Sequence, residues 1–249
     1  MSGHNKWSSI KHKKGAADAK RGKIFTKLIK EIIVSAKEGG GNPQANPRLR
    51  VAINAAKSAN MPGNNIERAI KRGTGELAGV NYENVIYEGY GHNGVAIIVE
   101  TLTDNRQRTV SEIRHVFSKY GGNLAETGAV SWVFEQKGLI EILKDKLDEE
   151  ELMMAALEAG ADDLNTEDAR YEIYTPYSDL HNVLQKLEDA GYKIEKAELT
   201  RIAKNTINAD TFADKLFRLI DNLDDLDDVQ KVYSNFEVSD EVMERLSNN

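Results

Sequence analysis

Cysteine is missing altogether from the 249 residues of this chain. That excludes disulfide bridges, thiolate metal sites and a cysteine nucleophile together, and it fits a reducing compartment. Long apolar runs are missing too: stretches such as Val95 to Val99 fall far short of the roughly 18 residues a bilayer-spanning helix needs. The start, Met-Ser-Gly-His-Asn-Lys-Trp, is polar and basic with no apolar stretch behind it. No export signal is therefore expected, and the chain reads as a soluble intracellular protein without a membrane partner. Aromatic residues make up only 7%, but a hydrophobic content of 40% still allows real cores, and the length suits about two domains of roughly 100 to 200 residues.

The formal net charge of -7 hides a division by position. Residues 1–78 hold 16 Lys and Arg against 5 Asp and Glu, a net +11, whereas residues 79–249 hold 17 against 35, a net -18. The first thirty residues carry nine Lys and Arg opposed only by Asp18. Such asymmetry suggests a polyanion-binding module joined to something that is not one, and nucleic acid is the first partner to consider.

The fold class expected is a multidomain α+β protein: an N-terminal three-helix domain followed by two α/β two-layer sandwiches, the last inserted in the middle one. From Gly22 to Lys37 the apolar residues Ile24, Phe25, Leu28, Ile29, Ile32, Ile33 and Ala36 recur at helical spacing, with Lys20, Lys23, Lys27 and Lys30 on the other face. Asn46-Pro47 opens a second helix with a cap residue and a first-turn proline. Asn64 or Asn65 is expected to cap a third helix, which ends before Gly73. Strand patterns follow at 84–87 and 94–101, then a helix over 106–120 and a strand over 130–135. A second α/β unit is read as strand 139–143, helix 149–159, strand 170–175, helix 178–190 and strand 192–199. A helix at 210–223 and a strand at 229–236 return to the first sheet. The domains are thus expected at 1–78, at 79–137 plus 206–249, and at 138–205.

Basic residues with an interleaved aromatic mark the nucleic-acid candidate: His4, Lys6, Trp7, Lys11, His12, Lys13, Lys14, Lys20, Arg21, Lys23 and Lys27. Lys and Arg neutralise phosphates with release of counterions, and Trp7 is suited to stack on a base or insert at a base step. Arg48, Arg50, Lys57, Arg68, Lys71 and Arg72 form a second cluster on helices two and three, which either extends that positive surface or is an ordinary solvated face. Gly89-Tyr90-Gly91-His92-Asn93-Gly94 matches the dinucleotide pattern of spaced glycines, but a strand rather than a helix follows, so a glycine-rich hairpin or loop is expected. Glu112 and His115 share a helix face without the second copy a di-iron site needs. The acidic run Asp221, Asp224, Asp225, Asp227, Asp228 lacks the glycine and closing glutamate of a calcium loop and reads as a solvated helix end. No cofactor, metal or catalytic constellation is indicated.

Several blocks in order resemble one family: Gly3-His4-Asn5-Lys6-Trp7, Ile10-Lys11-His12-Lys13-Lys14, Asn60-Met61-Pro62, Tyr87-Glu88-Gly89-Tyr90-Gly91, Leu102-Thr103-Asp104-Asn105-Arg106 and Gly121-Gly122-Asn123-Leu124. This is the YebC/PmpR family, which includes the mitochondrial translational activator of cytochrome c oxidase. The resemblance implies three domains around a cleft and a cytoplasmic, non-enzymatic regulator of gene expression. Bacterial members are described as DNA-binding transcriptional regulators, so DNA is the expected partner. The alternative is a translation factor on ribosomal RNA or mRNA, and in either case the acidic domains are left for a protein partner.

Overall fold

In the computed structural model, which describes residues 17–144, 147–166 and 170–247, the apolar spacing near the start becomes the inner face of helix α1 (Ala17–Gly39). Ile32, Ile33 and Ala36 are buried there, Phe25, Leu28 and Ile29 lie at the margin, and Ile24 faces out with 37% exposure, against its expected place on the apolar face. Helix α2 (Pro47–Ser58) contributes Leu49, Ala52, Ile53 and Ala56 to the same core, and α3 (Gly63–Gly73) contributes Ile66 and Ala69. Fully burying a side chain such as Ile32 or Leu49 contributes about 1.5–3 kcal/mol. Asn46 joins two of the helices: its side-chain oxygen accepts from the Leu49 N–H at 3.1 Å, while its amide donates to Ser35 O and Gly40 O at 2.8 Å.

The third helix is not capped by Asn64 or Asn65, because it already begins at Gly63, behind Pro62, with no side-chain cap. Asn60 takes a left-handed conformation (φ 60°), which lets Met61 N–H close back on Ala56 O at 2.9 Å and buries the Met61 side chain. The turn is therefore complete before the two asparagines are reached. Gly73 marks the closest approach of α3 to α1, since a Cβ there would lie 2.4 Å from Ile33 O. Gly73→Ala is expected to lower stability by about 1–3 kcal/mol through this overlap, read as a lower urea midpoint at unchanged slope.

The chain divides into two units, residues 1–134 with 203–249, and residues 135–202. In the first, β1 (Glu83–Tyr90), β2 (Ala96–Thr103), β3 (Asn123–Leu124) and β9 (Val229–Ser234) form an antiparallel sheet in the order β3-β1-β2-β9. Helices α4 (Arg106–Lys119) and α7 (Ala213–Asp224) cover one face, burying Ile97, Val99, Ile113, Phe117, Leu216 and Ile220. Ile98, Val130, Val133, Phe134 and Tyr233 cluster on the other. The segment 229–236 is not one strand. Asn235 leaves the ladder, its side-chain oxygen taking Ala96 N–H at 2.8 Å, and β10 (Phe236–Glu237) then pairs in parallel with β8 (Ile207–Asn208). A last helix, α8 (Asp240–Ser247), follows.

The expected strand at 130–135 is instead a 3₁₀ turn, Ser131–Val133, leading into a continuous strand β4, Phe134–Leu143. The cause is the buried Glu88 carboxylate, which accepts from the N–H groups of Gly128 (2.8 Å), Val130 (2.7 Å) and Ser131 (2.9 Å). With their donors taken by a side chain, these residues do not join a ladder.

The second unit runs β4, α5 (Glu149–Ala159), β5 (Asp163–Thr166), β6 (Arg170–Pro176), α6 (Leu180–Asp189) and β7 (Ile194–Ala203). The strand order β5-β6-β4-β7 is that of a ferredoxin-like sheet. Ile140, Ile142 and Ile173 pack against Leu152, Ala156, Val183 and Leu187 of the two helices. Gly160 ends α5 in the left-handed region (φ 106°), as a helix C-cap glycine does. Strand β5, too short and polar to stand out in the sequence, pairs antiparallel with β6. Together the helical N-terminal part and the sheet units make an α+β protein.

Candidate nucleic-acid interface

His4, Lys6, Trp7, Lys11, His12, Lys13 and Lys14 lie outside the described residues, and Lys20 sits in α1 where side chains are not described. The rest of the basic set falls into two environments. On α3, whose inner face is Ile66 and Ala69, the residues Arg68, Lys71 and Arg72 follow the i, i+3, i+4 spacing of one outer face and are exposed. Among the described residues none of these three enters an ion pair. Arg21 is exposed as well, and Arg50 is half-buried.

Lys23, Lys27 and Arg48 are engaged by acids. Arg48 Nε donates to Glu31 at 2.8 Å and a second guanidinium nitrogen reaches Glu38 at 2.5 Å. Burial would lower the Arg48 pKa, but the hydrogen bonds from the guanidinium to these glutamates raise it. Lys23 reaches Asp225 at 3.2 Å, Lys27 reaches Asp224 at 2.9 Å, and Lys30 reaches Asp228 at 2.8 Å. The acidic run does end α7, with Asp225 and Asp227 exposed, but it is not simply solvated: Asp228 is buried and the lysine face of α1 lies against the run.

Asp228 is the centre of that contact. It is buried, and besides Lys30 its carboxylate accepts from Arg108 at 2.5 Å, Thr109 at 2.7 Å and Thr103 at 3.2 Å. Burial alone would push its pKa up, yet the hydrogen bonds from Lys30, Arg108 and Thr109 bring it down to about 2. Arg108 is in turn raised above its ordinary value, chiefly by its hydrogen bond to Asp228 and then by that to Asp104. A polar cavity of about 610 Å³ opens beside them, lined in part by Thr26, Tyr82, Asp104 and Glu112. Its best-held charges, Asp228 and Arg108, stay ionised near neutrality and are poorly placed to move protons. No grouping of potential metal ligands occurs among the described residues.

The remaining sequence candidates fall elsewhere. The glycine-spaced segment is the β1–β2 hairpin connection, a 3₁₀ turn at His92–Gly94 followed by a strand, as expected. Within it His92 meets Tyr120 O at 3.0 Å. Glu112 faces the cavity and His115 is exposed. Sequence reasoning missed the Asp228–Arg108 centre and the Glu88 brace. The one available signal was the match between lysines at 23, 27 and 30 and acids at 224, 225 and 228.

This combination of a basic helical part and acidic α/β layers defines a class before it defines a protein, and comparison narrows it. Residues 5–76 match the profile of the TACO1/YebC protein N-terminal domain, and residues 82–236 that of the TACO1/YebC second and third domain. The chain belongs to the TACO1/YebC family. A probable transcriptional regulatory protein of Persephonella marina is 60% identical over 250 residues, covering 99% of this chain and 100% of the relative. A protein of Geobacter sulfurreducens with the same description is 58% identical, covering 99% and 100%. The crystal structure of a conserved hypothetical protein from Aquifex aeolicus superimposes with a TM-score of 0.83 at 51% identity, covering 90% of this chain and 93% of that one. Among the described residues no helix is long and apolar enough to cross a membrane.

Proposed function

We propose that this protein is a non-enzymatic regulator of gene expression that binds DNA as a transcriptional regulator in the cytoplasm. The observation that carries the reading is the outer face of α3, where Arg68, Lys71 and Arg72 stand exposed and outside any described ion pair in the part of the chain with the largest positive excess. The names of the relatives from Persephonella marina and Geobacter sulfurreducens support it. The interface comprises His4, Lys6, Trp7, Lys11, His12, Lys13 and Lys14 of the arm, then Lys20, Arg21, Arg50 and the α3 face. Lys23, Lys27 and Arg48 join it only where their acid pairs open. The acidic parts are left to a protein partner, and the chain divides functionally into 1–78, 79–137 plus 206–249, and 138–205.

Salt titration tests the reading. Log affinity for duplex DNA falls linearly with log salt, with a slope of about -0.9 per phosphate engaged. Changing Arg68, Lys71 and Arg72 together to Ala is expected to weaken binding equally across sequences and to reduce the magnitude of the slope by about 2.7. An unchanged slope removes α3 from the interface. The same titration on ribosomal RNA fragments separates transcription from translation, since phosphate contacts by themselves do not distinguish the polymers.

A further inference from the structure

Lys23, Lys27 and Lys30 recur at i, i+4 and i+7 and so project from one face of α1. Each meets two oxygens of the turn that ends α7, one from a carboxylate and one from the main chain. Lys23 takes Asp225 Oδ1 and Asp225 O, both at 3.2 Å. Lys27 takes Asp224 Oδ1 at 2.9 Å and Asp224 O at 3.0 Å. Lys30 takes Asp228 Oδ1 and Asp227 O, both at 2.8 Å. The main-chain oxygens at the end of α7 carry the negative end of the helix dipole, which adds to the carboxylates. The turn therefore offers a row of lysines a row of anionic oxygens, as a nucleic-acid backbone would.

The three contacts differ in strength. The lysine side chains are 46%, 21% and 8% exposed in chain order, so the row passes from solvent at Lys23 to a buried end at Lys30. An exposed pair such as the outer one is weak, because water and salt screen its attraction. The inner pair is locked by Arg108 and two threonines on the same Asp228. The lysine row thus runs from an exposed acid pair at Lys23, through a partly buried one at Lys27, to a fixed one at Lys30.

We propose that the Asp224–Asp225 turn is a built-in phosphate mimic that masks Lys23 and Lys27 from nucleic acid. This rests on the nucleic-acid reading above and specifies its regulation. With the mask in place, phosphates engage the arm and α3 and stop short of the lysine row. With the mask removed, the track extends inward by two phosphates and ends at Lys30.

The test uses the full chain and a 20-base-pair duplex. Asp224→Asn with Asp225→Asn keeps side-chain size and both main-chain contacts while removing the charges. The double variant is expected to bind roughly tenfold or more tightly at 0.1 M salt, with the slope steeper by about 1.8, two phosphates at 0.9 each. Adding Lys23→Ala and Lys27→Ala to it is expected to abolish that gain. Glu241→Gln with Glu244→Gln makes the same change in net charge on α8 and is expected to leave the slope within about 0.5 of the starting protein, about half of one phosphate contact. A slope unchanged by the Asp substitutions, or a gain that survives loss of the two lysines, overturns the mask. If the unaltered protein binds neither duplex nor RNA, the nucleic-acid reading itself falls, which is a separate result.

Discussion

Asp228→Asn is expected to destabilise the protein by about 3 kcal/mol at pH 7, because it leaves the buried Lys30 ammonium without its counter-charge. The low end of the usual range applies, since the other partner, Arg108, reaches solvent. The effect carries its own pH signature. The Asp228 carboxyl titrates at about 2 in the folded protein against an ordinary 3.8. A depressed folded-state value means that the stabilisation is complete above the unfolded-state value and is lost as pH falls from about 4 toward 2. The linked part amounts to about 2 kcal/mol at 1.36 kcal/mol per unit. Urea unfolding of both proteins should show a constant gap from pH 7 to 5 that narrows below 4, with about 1 kcal/mol gone by pH 3. A gap that widens on acidification, or one that is already closed at pH 7, would contradict the buried ion pair.

Glu88→Ala is expected to cost about 3 kcal/mol or more, because three backbone N–H groups, at Gly128, Val130 and Ser131, lose one shared acceptor. The loss should be local in its first appearance. Hydrogen exchange at those three amides is slow while they are bonded to the carboxylate, and it is expected to become fast in the variant before the sheet opens. Glu88→Gln should fall between the two, since one amide oxygen can retain the Val130 and Ser131 bonds that now share Oε2 while the Gly128 bond to Oε1 is lost. The same turn presents Trp132, 66% exposed, with its indole N–H on Ala129 O at 3.0 Å. Its fluorescence in a Trp7→Phe background gives a second measure of whether the turn has come apart.

The elements that could be read from the sequence are those whose signals lie within one element. The inner face of α1, the Asn46-Pro47 start of α2, the span of α5 with Gly160 behind it, and the rejection of a dinucleotide loop at Gly89 to Gly94 all depend on period, caps and immediate neighbours. The cap expected at Asn64 or Asn65 failed for a local reason, the turn at Asn60, but the strand differences arose where a distant side chain replaced a local partner. Val130 and Ser131 have strand composition but give their N–H groups to Glu88, some forty residues away. Phe236 has the composition of a strand end, and nothing local shows that Asn235 holds Ala96 instead.

Charge behaved the same way. The amino-acid sequence alone determined that a positive segment precedes a negative remainder, that the cysteine chemistries are excluded, and that the architecture combines helices with two-layer α/β units, since composition and hydrophobic period are properties of the chain itself. Only the tertiary structure decided which cations remain available. Lys23, Lys27 and Arg48 are as basic in sequence as Arg68, Lys71 and Arg72, yet the first three face carboxylates and the last three face outward. The physical reason is that a formal charge is counted residue by residue, whereas its capacity to bind a phosphate depends on which opposite charge the fold has already placed within about 3 Å of it.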